Sequence, residues 1–287
     1  MEIITSVEEL QSKLTTQKRK KIGFVPTMGA LHSGHIALVK KCIRENDISV
    51  CSIFVNPTQF NEKSDLKKYP RTLEADSNLL EDAKLDFLFA PGVKEIYPKG
   101  EKSSVKVNLD GLDRKLEGAF RPGHFDGVVQ VVHRLLNIVK PHKLYMGQKD
   151  FQQFTIIQKM IDNLKMKVEL VVCDIQRDFD GLALSSRNRR LTKSKRKWAN
   201  LLYMNLLRTK ELMKFNTVEE VENISLDSLG LPAGFKPEYF TIINGHTLNK
   251  VTDWKDARYL VALTAVWAGE VRLIDNVILK KTKKRTN

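Results

Sequence analysis

The chain has 287 residues, of which 42% are hydrophobic and 29% charged, values that fit one large or two ordinary globular domains and exclude disorder as its main state. No apolar run approaches the roughly 18 residues of a membrane span, no secretory signal is apparent, and the three cysteines have no paired spacing. We therefore expect a cytoplasmic protein with no membrane partner.

The net charge of +14 is of the kind that favours nucleic-acid binding. However, 16 bases lie in three acid-free clusters, at residues 18–21, 187–197 and 280–285, which leaves 32 of the 48 bases against 34 acids. The first and last clusters are interpreted as solvated surface or tail. They contain no aromatic side chains on which bases would stack, which argues against RNA binding.

The first two thirds of the chain predict alternating strands and helices. Short runs rich in β-branched and aromatic residues predict strands at 22–25, 48–55, 87–89, 143–146 and 168–172. Helical spacing predicts helices at 35–44, 72–83, 128–139 and 151–163. This alternation indicates an α/β fold, a Rossmann-like domain with a parallel sheet over residues 1–175, whose ligands lie beyond the carboxyl ends of the strands.

The remaining residues, 176–287, predict a smaller α+β domain. One long helix is expected at 192–212 and a shorter one at 218–229, followed by a Pro/Gly linker at 231–237. Three strands are expected at 239–243, 259–263 and 271–279.

The most informative motif is GFVPTMGALHSGH, residues 23–35, which joins the first predicted strand to a helix. Gly29 and Gly34 let backbone amides approach an anion, and the helix N-terminus adds partial positive charge. His32 and His35 share one face of that helix end, where two imidazoles can donate hydrogen bonds to a phosphate. The alternative is that either histidine caps the helix or packs in the core.

Two further loops offer polar groups. FVNPTQFN presents Asn56, Gln59 and Asn61, whose amides suit a small polyhydroxy acid, although an ordinary Asn-Pro turn is the alternative. RPGHFDGVV places Arg121 and His124 before an apolar helix. Arg121 can bind a carboxylate or phosphate with two hydrogen bonds, but a loop arginine is more often a surface residue.

The segment LYMGQKDFQQ again follows a strand. We interpret Gly147 as allowing a turn, Lys149 as a point charge for phosphate, and Asp150 as a helix cap that can also accept from ribose hydroxyls. Gln153 follows one helical turn later.

DGLALSSRNRRLT supplies Ser185, Ser186 and Arg187, two hydroxyls and a guanidinium that suit a polyphosphate. The bases at 193–197 are interpreted as a solvated helix face.

Taken in order, PTMGALHSGH, NPTQF, RPGHFDGV, GQKDFQQ and DGLALSSRN resemble the pantothenate synthetase (pantoate–β-alanine ligase) family, within the HxGH nucleotidyltransferase superfamily. A weaker similarity lies in VRLIDNVIL at 271–279. The resemblance implies an enzyme that condenses (R)-pantoate with β-alanine through pantoyl adenylate, with ATP converted to AMP and diphosphate. ATP with Mg²⁺ is then a substrate and no organic cofactor is bound. The family also implies a homodimer and a C-terminal domain, 176–287, that closes over the ATP site.

The resemblance further assigns residues. His35, His32 and Lys149 are the implied catalytic residues; Gln59 and Gln153 hold pantoate, and Gln59 is shared with β-alanine. No protein metal ligand is assigned, and no nucleic-acid partner is expected. The implied ATP contacts are Met28, Gly29, Ala30, Leu31, His32, Ser33, Gly34, His35, Gly147, Gln148, Lys149, Asp150, Gln176, Leu184, Ser185, Ser186 and Arg187.

The sequence departs from the family pattern in two places. CDIQRDFDG puts Asp174 and Gln176 where a Pro-Thr-Val-Arg-like run is usual, and we expect the nucleotide contact near Gln176 to be made by backbone. In YPRTLEAD the acidic positions sometimes linked to metal are only partly filled, with Asp76 as the one candidate.

Three other readings remain open at this stage. The first is a nucleotidyltransferase that makes a dinucleotide or a CDP-alcohol, against which the glutamines of NPTQF and FQQ argue. The second is an RNA-binding module, suggested by the net charge. The third is a truncated tRNA synthetase, disfavoured because residues 188–287 are short for an anticodon-binding domain plus linker.

Overall fold

The computed structural model describes residues 1–17, 19–60, 66–67, 69–98 and 105–282. Lys18, Asn61 and residues 283–285, on which parts of two basic clusters and of the FVNPTQFN interpretation fall, lie outside the described residues. The chain divides into two compact units. The first comprises Met1–Gly147 and Gln152–Asp174, and the second comprises Gln148–Phe151 and Ile175–Asn287.

Within the described residues, the first unit contains a six-stranded sheet in which every neighbouring pair is parallel. Its spatial order is β1-β4-β3-β2-β5-β6. Five of the strands were predicted, whereas β1 was missed because three residues are too few to show a period. The strands are β1 (Glu2–Ile4), β2 (Ile22–Thr27), β3 (Ile48–Ile53), β4 (Phe87–Phe89), β5 (Lys143–Gly147) and β6 (Glu169–Cys173).

Helices connect these strands, as parallel pairing requires. Helix α6 is the most apolar, with Val128, Val132 and Leu135 among the residues of its buried stripe. The helices are α1 (Val7–Thr15), α2 (Ser33–Glu45), α3 (Leu73–Asp82), α4 (Val93–Ile96), α5 (Glu117–Phe120), α6 (His124–Val139) and α7 (Phe151–Asn163). None of the helices in the described part of the chain has both the length and the apolar character needed to cross a bilayer.

The strand order reverses between β2 and β5. Strand β3 pairs with one side of β2, and β5 pairs with the other through Gly23–Lys143 and Phe24–Leu144. In a parallel sheet this reversal opens a crevice beyond the carboxyl ends of the two strands, which is where ligands bind. The loop that follows β2 and the end of β5 therefore share the functional edge of the first unit.

The second unit carries an antiparallel sheet in the order β7-β8-β9. The expected long helix is divided at Ala199–Asn200, where the bonding changes to the tighter i→i+3 pattern. The expected linker was wrong in part, because β7 begins at Phe235; Pro237 is accommodated on this edge strand beside a register shift. The elements are α8 (Lys193–Trp198), α9 (Leu201–Leu212), α10 (Val218–Gly230), β7 (Phe235–Asn244), β8 (Tyr259–Ala268) and β9 (Val271–Lys281).

Candidate active site

The loop between β2 and α2 is held by a buried carboxylate. Asp76, 2% exposed on α3, accepts hydrogen bonds from the backbone amides of Ala30 and Leu31, both at 2.8 Å, and from Thr72 Oγ1 at 3.1 Å. Gly29 has φ +79°, and a Cβ added there would lie 3.0 Å from Asp76 Oδ2. Ala30 is also left-handed, at φ 51°, a conformation that an L-residue adopts only when its surroundings fix it.

The two histidines of this loop form a reciprocal cap on α2. His32 Nδ1 accepts from the backbone amide of Gly34 at 3.1 Å, and His35 Nδ1 accepts from the backbone amide of His32 at 3.4 Å. An accepting Nδ1 carries no proton, so the hydrogen of each neutral ring lies on Nε2. The ring centroids are 4.0 Å apart. The capping alternative is therefore correct for both histidines, and capping itself fixes both as Nε2–H donors.

Gln59 is oriented by its neighbour in the NPTQF turn. Asn56 Nδ2 donates to Gln59 Oε1 at 3.3 Å, and Gln59 Nε2 points at Met28 Sδ at 2.7 Å. A thioether is a weak acceptor, so this buried amide nitrogen retains donor capacity for a hydroxyl or carboxylate. Met28 and Gln59, from two separate motifs, are thus brought into contact.

Asn56 itself is a structural residue. It is 1% exposed, its Nδ2 also donates to the carbonyl of Gly127 at 3.1 Å, and its Oδ1 accepts from the Tyr97 hydroxyl at 3.0 Å and Thr58 Oγ1 at 3.1 Å. Burial raises the pKa of Tyr97, which keeps this hydroxyl protonated and able to donate. The turn alternative is therefore correct for Asn56, whose polar groups serve the loop.

The RPGHFDGVV segment contacts the backbone of Gln59 through His124. Arg121 Nη1 lies 3.1 Å from His124 Nε2, and since a guanidinium only donates, that ring nitrogen accepts. His124 Nδ1–H then donates to the backbone carbonyl of Gln59 at 2.8 Å. A Cβ on Gly127 would lie 2.5 Å from the carbonyl oxygen of Thr58, so α6 packs directly on this turn.

The GQKD segment follows β5 as a turn. The expectation that Gly147 is needed for the turn was wrong. Its backbone does not have the positive φ that favours glycine, and a Cβ added there would meet no atom within 4 Å. Lys149 is 18% exposed and lies 3.9 Å from the exposed Asp150 carboxylate. Gln153 is half-buried on α7 in the first unit.

Within the second unit, Gln176 and Leu184 are joined by a hydrogen bond from the Leu184 amide to the Gln176 carbonyl at 2.9 Å. Ser185 caps the short helical turn Ser186–Arg190 by accepting from the Arg187 amide at 3.3 Å. The Gln176 side chain is exposed while its backbone forms this pairing. The residue immediately before the Ser-Ser-Arg segment is therefore anchored by a backbone hydrogen bond to the unusual CDIQRD stretch.

The bases that follow differ in environment. Lys193 and Lys197 are exposed, as expected for a solvated face. Arg196 departs from that expectation, because its guanidinium pairs with Asp178 at 2.6 Å and with both oxygens of Asp180. The Arg196 hydrogen bond holds the pKa of Asp180 below its usual value. This arginine is therefore neutralised locally and adds little to the potential around an anion.

Several residues that hold the site were missed from the sequence. Arg177 binds Asp275 with two hydrogen bonds, at 2.6 and 2.9 Å, and stacks on the Tyr203 ring. Burial raises the pKa of Asp275, and the adjacent guanidinium opposes that effect. The signal available was the polar Asp275–Asn276 pair inside the apolar run VRLIDNVIL.

The described residues contain no cluster of three or more His, Cys, Asp or Glu side chains suited to a metal ion. Both oxygens of Asp76, the candidate considered from the sequence, accept hydrogen bonds.

The parallel sheet and the histidine-capped loop at its switch point define an α/β protein of the HxGH nucleotidyltransferase type. A family model described as pantoate–β-alanine ligase matches residues 2–278. The pantothenate synthetases of Bacteroides thetaiotaomicron and Fervidobacterium nodosum are 47% and 46% identical, covering 98% and 97% of this chain and 100% and 99% of their own.

Solved structures agree with these matches. The pantothenate synthetase of Thermus thermophilus aligns with a TM-score of 0.91 at 42% identity, covering 98% of this chain and 100% of that one. A pantoate–β-alanine ligase of Francisella tularensis, in complex with β,γ-ATP and β-alanine, aligns at 0.80 with 39% identity, covering 97% and 98%. The chain belongs to the pantoate–β-alanine ligase family.

Proposed function

We propose that the chain is an ATP-dependent pantoate–β-alanine ligase. The carboxylate of (R)-pantoate attacks the α-phosphorus of ATP, forming pantoyl adenylate and releasing diphosphate. The neutral amine of β-alanine then attacks the acyl carbon, the acyl–oxygen bond breaks with AMP as the leaving group, and the nitrogen loses a proton to solvent, which gives pantothenate. The family match and the relatives' names support this reaction.

The observation that carries the mechanism is the fixed tautomer of His32 and His35. Both rings lie at the N-terminus of α2 with hydrogen on Nε2, beside a loop that the Asp76 carboxylate holds in place. We assign their role as donation to the phosphate oxygens as negative charge moves to diphosphate. Because the donors are already oriented, little reorganisation is needed during the reaction.

The remaining roles follow the chemistry of each group. Gln59 and Gln153 are proposed to bind pantoate, and Gln59 also β-alanine; the oriented Nε2 of Gln59 supports this. Lys149 is proposed to bind the phosphates together with Ser185, Ser186 and Arg187. The first-unit loop at 28–35, the turn at 147–150 and the Gln176–Leu184 pair complete the proposed ATP contacts.

The setting of the enzyme is part of the same proposal. The three cysteines are free and buried, which agrees with a reducing, cytoplasmic location. The homodimer rests on the family resemblance, and sedimentation of the purified protein would measure it. Residues 176–287 remain proposed as the domain that closes over ATP.

The test supplies MgATP and D-pantoate, with and without β-alanine, and follows diphosphate and AMP. Diphosphate with enzyme-bound adenylate before the amine is added, and AMP with pantothenate afterwards, are expected. Inactivity with pantoate, or turnover with a different acid, contradicts the substrate assignment. A nucleotidyltransferase that does not ligate amines would release diphosphate without AMP.

A matched pair of variants tests the histidines in the same assay. His35→Ala should slow adenylation about a hundredfold, the cost of one lost oxyanion-type donor, about 3 kcal/mol. His133→Ala, at a histidine of α6 whose ring contacts Asn137 of the same helix, should leave the rate unchanged. Equal rates for the two variants contradict the role given to His35.

A further inference from the structure

Asn276 lies in the middle of β9 and is 1% exposed. Its Nδ2 donates to the backbone carbonyls of Gln148 and Lys149, each at 3.0 Å. Its Oδ1 accepts from Gln148 Nε2 at 3.1 Å. Both ends of this buried amide are thus engaged by the GQKD turn, a segment 127 and 128 residues earlier in the chain.

Asn276 is in turn fixed by the ion pair beside it. Its backbone amide donates to Asp275 Oδ1 at 2.7 Å. Arg177 binds both oxygens of the same carboxylate, at 2.6 and 2.9 Å, and also donates to the carbonyl of Gly181 at 3.0 Å. Rotation of the Asn276 side chain is therefore opposed by the hydrogen bonds of its Nδ2 and Oδ1, and its backbone is held by the bond to Asp275.

Packing alone does not explain an amide at this position. Ile274 and Val277, which flank the Asp275–Asn276 pair, are apolar, and a leucine-like residue in place of Asn276 would fill the core without the cost of burying an amide. The buried amide is compensated only because the turn supplies matching carbonyl and amide groups. Among the residues of this turn, Lys149 is the one to which a phosphate-binding role was given above.

We propose that Asn276 is a positioning residue that holds the GQKD turn so that Lys149 meets the phosphates of ATP. The proposal rests on the function given above to Lys149. The Arg177–Asp275 pair acts one step further away, by fixing the strand position from which the Asn276 amide reaches the turn.

The test is a double-mutant cycle in MgATP affinity, measured by calorimetry without pantoate so that no turnover occurs. Asn276→Ala should weaken MgATP binding about tenfold, as expected for loss of a bond network that orients a charged group. In a Lys149→Ala background the same substitution should change the affinity less than about twofold, because the group that it positions is gone.

Asn205→Ala is the matched control. Asn205 is a buried asparagine of the same unit, 4% exposed, whose Nδ2 donates to the carbonyl of Leu201 at 2.9 Å within its own helix. It should lower the thermal midpoint while leaving the MgATP affinity within about twofold of the original. Asn276→Asp is the second variant; it keeps the side-chain shape and an acceptor for Gln148 but loses the Nδ2 donor, and it should weaken MgATP binding like Asn276→Ala.

The outcomes separate the two proposals. Wild-type affinity in Lys149→Ala overturns the phosphate role of Lys149, and with it the route by which Asn276 is proposed to act. A weakened Lys149→Ala together with wild-type affinity in both Asn276 variants overturns the positioning role alone. Equal effects of Asn276→Ala with and without Lys149 also overturn it, because the two residues then act independently.

Discussion

Replacing Asp76 with alanine tests whether the loop that presents the histidines is held by one buried carboxylate. The substitution removes the acceptor for the backbone amides of Ala30 and Leu31 and for the hydroxyl of Thr72. The loop then loses the contact that opposes the strain of a left-handed alanine at position 30.

The magnitude follows from the two backbone bonds. A hydrogen bond to a charged group contributes about 1.5–3 kcal/mol, and both amides are buried, so about 3 kcal/mol of unfolding free energy should be lost at the lower end of that range. The left-handed conformation of Ala30 adds about 1 kcal/mol of strain that favours rearrangement of the freed loop. Because the tautomer and position of both histidines depend on this backbone, adenylation should slow at least about tenfold.

Urea unfolding measures the stability, and diphosphate release in the absence of β-alanine measures adenylation. Glu74→Ala is the control, since Glu74 lies exposed in the first turn of the same helix and should change either quantity little. Unchanged stability in Asp76→Ala refutes the clamp. Reduced stability with an unchanged rate of diphosphate release refutes the step from the loop backbone to the histidines.

Three other predictions concern different parts of the chain. His124→Phe should raise KM for pantoate about tenfold and leave KM for ATP unchanged, because the Gln59 carbonyl loses its buried donor; equal changes in both constants contradict this. Titration with a thiol reagent at neutral pH should detect no reactive cysteine until denaturant is added, because the thiols are buried and burial raises the pKa of Cys42 to about 12; rapid reaction of the folded protein contradicts this. Arg196→Ala should cost about 1 kcal/mol of stability at pH 7. The lowered pKa of Asp180 gives stability that is complete above its unfolded pKa of about 3.9 and is lost as pH falls through the folded value, so the difference between the two proteins should shrink in acid. Denaturation curves in which the difference does not decrease as pH falls below about 3.9 contradict this.

The sequence allowed the local parts of the site to be predicted. The glycines, the histidines and the strand-to-helix transition of GFVPTMGALHSGH lie within 13 consecutive residues, so their spacing alone indicated an anion-binding loop. The alternation of strands and helices likewise indicated the parallel sheet, which the structure and the relatives' folds confirm. These features depend on near neighbours in the chain.

The supports of the site could not be predicted, because they depend on residues that meet only after folding. Asp76 binds amides 45 and 46 residues away, and its acidic side chain alone suggested a metal ligand as readily as an amide acceptor. Asn276 reaches a turn 128 residues earlier. Pro237 similarly suggested a linker, because proline has no N–H to donate in a sheet. It is tolerated in β7 because this strand lies at the sheet edge, where the missing N–H breaks no ladder bond.

The second unit includes the turn Gln148–Phe151. This unit is formed from two separate stretches of the chain, the turn and the segment that begins at Ile175. A gene fusion that transferred only the later segment would leave the Asn276 amide buried without its carbonyl partners. Recombination just before Ile175 should therefore destabilise the resulting protein. We expect the two units to be inherited together rather than exchanged as independent domains.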